Sequence, residues 1–377
     1  MMSTEKNTSR HFKIFSDCVL VKGAKSSAIY DLSRHRMVLF PTEYFDFISS
    51  LDGRNPDLSG DLYSSDAEVN RKFNAAVDYL IKSEVAAMVS ERSHFTALSG
   101  SHDRPSKINN SIIDISSTWH DFSNIFAELD QLGCEFVQVR IFSSEYTLDK
   151  IYELVAFASD TTVRGIDFLI CHKPEYMPSD LVEFVSKNPL VAGLVVHSSP
   201  MDLTLEVDRA DAKALGFGTR RRVRFITQPI SSDAACGKIT IDTISAPSVP
   251  IYTELLNHNG CLNKKISIDV NGEIKNCPSF CQSYGKIGDV SLGKVVDNFE
   301  FRRSWAITKD QVSVCKDCQF RFACTDCRAH LQDSGDLFSK PAHCSYDPYR
   351  DVWEGSPAKG QMLAEEVRMD SRTSIAS

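Results

Sequence analysis

No run of apolar residues in this sequence approaches the ~20 that a membrane-spanning helix needs, and the opening stretch Met1 to Arg10 (MMSTEKNTSR) has no apolar segment to serve as a signal peptide. The chain is therefore expected in the cytoplasm, with no membrane as partner. Positive charge is also in short supply: 42 lysines and arginines stand against 50 acidic residues, a formal charge of -8. Non-specific phosphate binding depends on clustered Lys and Arg that release counterions, so nucleic acid is not expected as a partner either. Cysteine is absent between Cys18 and Cys134, which excludes a thiolate cluster from that stretch. What the chain does have is 377 residues, 42% of them apolar, enough for two or three domains with cores of their own.

Twelve cysteines in a reducing compartment are not expected to form a disulfide framework; where clustered, they read as metal or cluster ligands. Four of them, Cys18, Cys134, Cys171 and Cys236, are scattered singly, and each is expected to behave as a small buried hydrophobe. The other eight, Cys261, Cys277, Cys281, Cys315, Cys318, Cys324, Cys327 and Cys344, crowd into 84 residues.

The pattern along the chain is that of an α/β protein in several units. Residues 11–90 read as three short strands (FKIFSDCVLV, SSAIYDL, RMVLF), a helix opening at Pro41, and a second helix from Ala67 to Ser83 with Val69, Phe73, Ala76, Val77, Leu80 and Ile81 at helical spacing. The polar stretch 91–110 reads as a linker. In residues 111–250, strand-like runs (SIIDIS, FVQVRIF, GIDFLIC, VAGLVVH, RVRFITQ) alternate with amphipathic helical ones (FSNIFAELDQLG, TLDKIYELVAFA, SDLVEFVSK), which predicts βα units and a parallel sheet, open or curled into part of a barrel. Residues 260–349 form the cysteine-rich unit, and 355–377 a polar, loosely held tail.

Chemistry is concentrated in the cysteine-rich unit. In CLNKKISIDVNGEIKNC, ISIDVNGEI reads as a hairpin turning at Asn271-Gly272, a dipeptide that tolerates positive φ at both central positions of a tight turn. The hairpin returns the chain and brings Cys261 near Cys277. Cys281 follows in CPSFC, and CKDCQFRFACTDC sets Cys315 and Cys318 in a knuckle before adding Cys324 and Cys327. Cys344 closes the set. Eight thiolates make two four-sulfur sites, which fits two iron-sulfur clusters or two structural Zn2+ ions. Metal binding would then be part of the folding free energy of a unit with little apolar core.

The order C-x10-G-x4-C, C-x2-C-x5-C-x2-C, C resembles the SPASM domain appended to radical S-adenosylmethionine peptide-modifying enzymes, whose last short spacing has three residues where this chain has two. The phrase IGDVSLGKVVDNFEFRR before Cys315 is similar to that family's linking turn and helix. The resemblance implies two auxiliary [4Fe-4S] clusters ligated in an interleaved way: Cys261, Cys277, Cys281 and Cys327 for the first, Cys315, Cys318, Cys324 and Cys344 for the second. A radical enzyme of this kind also carries C-x3-C-x2-C after its first barrel strand and a Gly-Gly-Glu-Pro-like turn after its second. Here SIIDIS runs into STWHDFSNIF without cysteine, and the second strand ends in Phe142-Ser143-Ser144-Glu145-Tyr146, which keeps only the glutamate. The middle unit thus resembles a degenerate partial (β/α) barrel of radical type that has lost its catalytic cluster, with no catalytic residues and no S-adenosylmethionine site expected.

Together with CQFRFACTDCRAH, this combination resembles the SPASM-domain peptide maturases of the grasp-with-spasm systems. The resemblance implies an accessory protein that binds a ribosomally made precursor (leader) peptide and works with an ATP-grasp peptide ligase. Its residues 11–90 resemble a winged-helix-like peptide-recognition element that clasps a leader as an added strand. The alternatives are an iron-sulfur oxidoreductase or active radical enzyme acting on a peptide, and a zinc-stabilised interaction module.

Other signals have plainer readings. Gly288 to Val295 matches a phosphate-binding loop except that Val295 replaces the Ser or Thr that would ligate magnesium. Thr219 to Arg224 (TRRRVR) reads as a solvated strand face, Trp119 and His120 as packed or surface residues, and Glu145 as a helix-capping or surface acid.

Overall fold

The structure, a computed structural model, describes residues 11–51, 67–91, 93–101, 104–207, 221–236 and 238–354. Met1 to Arg10, Thr219, Arg220 and the tail 355–377 lie outside the described residues, as do the side chains of Val69 and Phe73.

Alternating burial marks the first strand, β1 (His11–Ile14), with Phe12 and Ile14 inward. The expected single strand FKIFSDCVLV is in fact two. A turn at Phe15 to Asp17, closed by the Cys18 amide donating to the Phe15 carbonyl (2.9 Å), separates β1 from β2 (Cys18–Val21). β2 continues antiparallel into β3 (Ser26–Asp31) and β4 (Arg36–Pro41) as a three-stranded sheet. Pro41 does not open the helix. Its ψ of 135° keeps it extended at the end of β4, and a 3-10 turn over Thr42–Tyr44 precedes α1 (Phe45–Leu51). After α2 (Ala67–Lys82), the strand β5 (Ala86–Val89) returns to pair antiparallel with β1. The two alanines of AAMV give it little strand propensity, which is why sequence pattern misses it.

The alternating middle region forms most of an eight-stranded, mainly parallel sheet. Its elements are β6 (Asn110–Ile115), α3 (Phe122–Gln131), β7 (Phe136–Ile141), α4 (Leu148–Ala158), β8 (Gly165–Cys171), α5 (Pro178–Lys187), β9 (Val191–His197), β10 (Leu203–Val207) and β11 (Arg221–Phe225). All five expected strands are present. β10 was not expected; it pairs antiparallel with β11 at the sheet edge. The strands β6, β7, β8 and β9 lie side by side in chain order and in parallel. Right-handed crossovers between consecutive neighbours place α3, α4 and α5 on one face. That face is apolar: Ile113, Val139, Phe168 and Leu194 pack with Phe126, Leu154 and Phe184. The alternate residues, among them Asp114, Gln138, Arg140 and Asp167, point to the other face.

After α6 (Val249–Asn257) come β12 (Lys265–Ile268) and β13 (Ile274–Lys275), an antiparallel hairpin as expected. Its connection is a five-residue loop in which Gly272 alone has positive φ (+80°). The Asp269 carboxylate accepts the amides of Asn271 (2.9 Å) and Glu273 (3.0 Å), so a side chain does the turning that a two-residue turn was expected to do. β12 also pairs in parallel with β6, which makes the first strand of the cysteine-rich unit part of the large sheet. α7 (Leu292–Asp297) and α8 (Phe299–Arg302) follow, and then mostly irregular chain. No helix among the described residues is long and apolar enough to cross a membrane.

Candidate metal centres

Cys315, Cys318, Cys324 and Cys344 come together. Val314, at φ +66°, leads into a 3-10 turn over Cys315–Asp317, and the Cys318 amide donates to the Cys315 carbonyl (3.0 Å), forming the expected knuckle. The Phe320 amide points at the Cys318 sulfur (3.4 Å). The charge of Cys344 acts on Cys315 and Cys324, and that of Cys315 on Cys318 and Cys324. Burial is the main influence on each: it pushes the Cys324 thiol up to about 12 and also raises Cys315 and Cys318. Such thiols give up their protons when an electrophile takes their place, so metal binding here would release protons.

A second group forms beside the amino end of β12: Cys261 precedes that strand, and the antiparallel β13 carries Cys277 back to it. The hairpin brings Cys261 and Cys277 together as expected, and the charge of Cys261 acts on Cys277 and on Cys327. The fourth thiol in this neighbourhood is Cys236, whose charge acts on Cys277 and Cys327 and also reaches Lys265 and Arg140. Cys236 is not the isolated core residue that its lone position suggested. It follows a 3-10 turn over Asp233–Ala235; its carbonyl meets the His343 ring (3.0 Å), and Ile239 bridges to Cys344. Cys281 is exposed, and its charge is not among the main ones acting on Cys277 or Cys327. The signal available in sequence was context: Cys236 lies in the irregular stretch after β11, outside any apolar run.

A buried polar network joins the groups. The Asn259 side chain accepts the Cys261 amide through Oδ1 (3.0 Å) and donates through Nδ2 to Asp326 Oδ2 (2.7 Å). Asp326 Oδ1 takes both Lys309 Nζ (3.0 Å) and Arg328 Nη2 (2.6 Å). Lys309 also approaches Cys315 Sγ (3.7 Å), as Lys265 approaches Cys261 Sγ (3.5 Å). Beside the second group, Arg140 and Asp114 form a bidentate pair at 2.6 and 2.7 Å, and burial pushes the Asp114 carboxyl up against the opposing pull of Arg140.

Among the described residues, no three His, Cys, Asp or Glu side chains form a group that could hold a metal ion as they stand. Tetrahedral zinc at about 2.3 Å from each sulfur requires close convergence; a four-iron cubane holds its thiolates further apart. The donor set in each group is all sulfur, with a lysine against one thiol, and it fits a soft, anionic four-thiolate centre.

The region after β6 holds no thiol. Trp119 packs on Tyr146 and Phe122, and His120 is buried with Nε2 on the Asp114 carbonyl (2.9 Å), the packed reading of both. A cavity of about 350 Å³ lies beside them, lined by Trp119, Asn124, Asn271 and Lys286. Glu145 is exposed and caps no helix. In the loop resembling a phosphate site, the Leu292 amide at the start of α7 already donates to the Glu128 carboxylate, which excludes phosphate. Of the basic run, Arg224 is exposed, but Arg221 is buried and donates to the Asn188 carbonyl (3.1 Å) after α5, so it caps a helix end and is not solvated. Cys18 and Cys134 are buried thiols pushed up to about 12 by burial, as the small-hydrophobe reading expects. No protein-family model and no curated protein matches this chain.

Proposed function

We propose that the protein is an accessory maturation factor for a ribosomally made peptide: it binds the precursor, carries two [4Fe-4S] clusters and acts with an ATP-grasp ligase. The observation that carries this reading is the division of the C-terminal thiols into two groups, each with a lysine that faces sulfur. Cys315, Cys318, Cys324 and Cys344 would hold one cluster. Cys261, Cys277 and Cys327 would hold the other, with Cys236 better placed than Cys281 as the fourth ligand. Each cluster would supply a low-energy electron acceptor or a rigid structural node. The sequential sheet with all its helices on one face supports the partial-barrel part of the reading, and the edges of the β2-β3-β4 sheet support strand addition by a leader peptide.

The deciding experiment is metal and sulfide analysis of anaerobically purified full-length protein. About eight iron and eight sulfide per chain is the expected result for two cubanes. About two zinc per chain without sulfide would replace this reading with the zinc-stabilised module. Incubation with dithionite, S-adenosylmethionine and a precursor encoded beside an ATP-grasp gene should yield no 5′-deoxyadenosine; its release would restore an active radical enzyme.

A further inference from the structure

We infer that Lys309 and Lys265 are built-in counter-charges of the two thiolate sites, each setting the reduction potential of the cluster it faces. The inference rests on the iron-sulfur reading above and assigns residues to each site that are not ligands.

Lys309 is 4% exposed and lies 3.0 Å from Asp326 Oδ1 and 3.7 Å from Cys315 Sγ. Arg328, 2% exposed, occupies the same carboxylate oxygen at 2.6 Å. One buried carboxylate therefore faces two buried cations, and the Asn259 amide on its other oxygen brings no charge. Among the described residues, the group that answers the remaining positive charge is the Cys315 sulfur. Lys265 repeats the arrangement. It is half-buried, its ammonium lies 3.5 Å from Cys261 Sγ, and it forms no ion pair with a carboxylate among the described residues. A buried ammonium with no anion is strongly disfavoured, so Lys309 presupposes a thiolate beside it, and the half-buried Lys265 stands in the same relation to Cys261.

A cubane with four thiolates carries two negative charges when oxidised and three after accepting one electron. A fixed cation favours the more negative, reduced form and raises the potential, as hydrogen bonds to cluster sulfur also do.

The test is an anaerobic reductive titration of the full chain, with dithionite as electron donor, monitored by electron paramagnetic resonance. In Lys309→Met, one of the two reduction waves should move to lower potential while iron, sulfide and the other wave stay as in wild type. Lys265→Met should move the other wave. Lys309→Arg keeps the charge and should leave both waves in place. Full clusters with unmoved waves in both Met variants would overturn the inference. Should Lys309→Met fail to load its site, Lys309→Arg decides: loading with a wild-type wave supports a charge role, and equal failure assigns Lys309 to packing and defeats the inference. Wild-type protein holding zinc without sulfide defeats the iron-sulfur reading instead. The counter-charge is then judged by zinc loss to a chelator, which should be faster in Lys309→Met than in Lys309→Arg, and equal rates would overturn it.

Discussion

At the scale of single residues, Cys236 and Cys281, the two candidates for one proposed ligand position, make the sharpest contrast. Cys236→Ser should reduce iron and sulfide to about half while Cys281→Ser leaves both unchanged, as read by metal analysis; the reverse pattern would restore the assignment drawn from spacing. Cys134→Ser, inside the apolar core, should leave metal content unaltered. Asp167 offers a test without metal. Burial pushes its carboxyl up to about 6 from an ordinary 3.8, so the folded chain holds this proton more tightly than the unfolded chain does. The stability tied to that proton is full below about pH 4 and is lost as pH rises through about 6. Asp167→Asn should flatten this part of a stability-versus-pH curve and gain on the order of 1–2 kcal/mol at pH 7, allowing for partial exposure. The grouping of seven of the eight clustered cysteines, Cys281 excepted, was legible in sequence because thiol spacing is local. Cys236 was not, because its partners lie 25 and more residues downstream. Nor were the lysines: Lys309 reaches Asp326 only through a tertiary fold, and nothing in KDQVSVC distinguishes it from a surface lysine.

At the scale of elements, hydrophobic runs carried most of the information. GIDFLIC and VAGLVVH became β8 and β9 residue for residue, since strands with a well-buried face read as apolar runs. The short edge elements β5 and β10 escaped because their pairing partners, not their composition, make them strands. The β6–β7 junction shows what an element contributes beyond apolar packing: Arg140→Met would leave the Asp114 carboxylate buried without its cation. A loss of about 3–5 kcal/mol is expected in chemical denaturation, and the Asp114→Asn, Arg140→Met pair should recover part of it. The hairpin loop depends in the same way on one side chain. Asp269→Ala removes the acceptor of two amides and should cost about 1–2 kcal/mol, readable as a lower melting temperature.

At the scale of the whole molecule, the N-terminal sheet is seated on the thiol-rich unit. Val21, Tyr30 and Leu32 share a core with Phe320, Phe322 and Cys324. The Tyr30 hydroxyl donates to the Gln319 carbonyl, the Ala24 amide to Asp317 (2.7 Å), and Arg321 reaches the Lys22 carbonyl. Gly23 allows the approach, since a Cβ there would lie 2.9 Å from the Gln319 amide. On the proposed reading of the thiols as metal ligands, removing metal should loosen β2 to β4 along with the cysteines. Hydrogen exchange after anaerobic chelation is expected to rise in Cys18–Pro41 while β7 and β8 stay protected; equal protection in both regions would show that the seating does not depend on metal. The contact was invisible in sequence because it joins segments some 300 residues apart, and no local pattern encodes it.

The pairing of β6 with β12 also places a demand on synthesis. Asn110 lies opposite Lys265, so the strand that begins the sheet waits for a neighbour made 155 residues later. At about 5–20 residues per second on the ribosome, that interval is roughly 8–30 s. Throughout it the nascent sheet grows away from an open edge formed by SIIDI, a segment rich in isoleucine and low in charge, of the kind that recruits foreign strands. The same hairpin that gathers Cys261 and Cys277 is what ends this exposure, so newborn chains stalled before residue 265 should be unusually dependent on chaperones, and release from them should coincide with the pairing of Cys261 and Cys277.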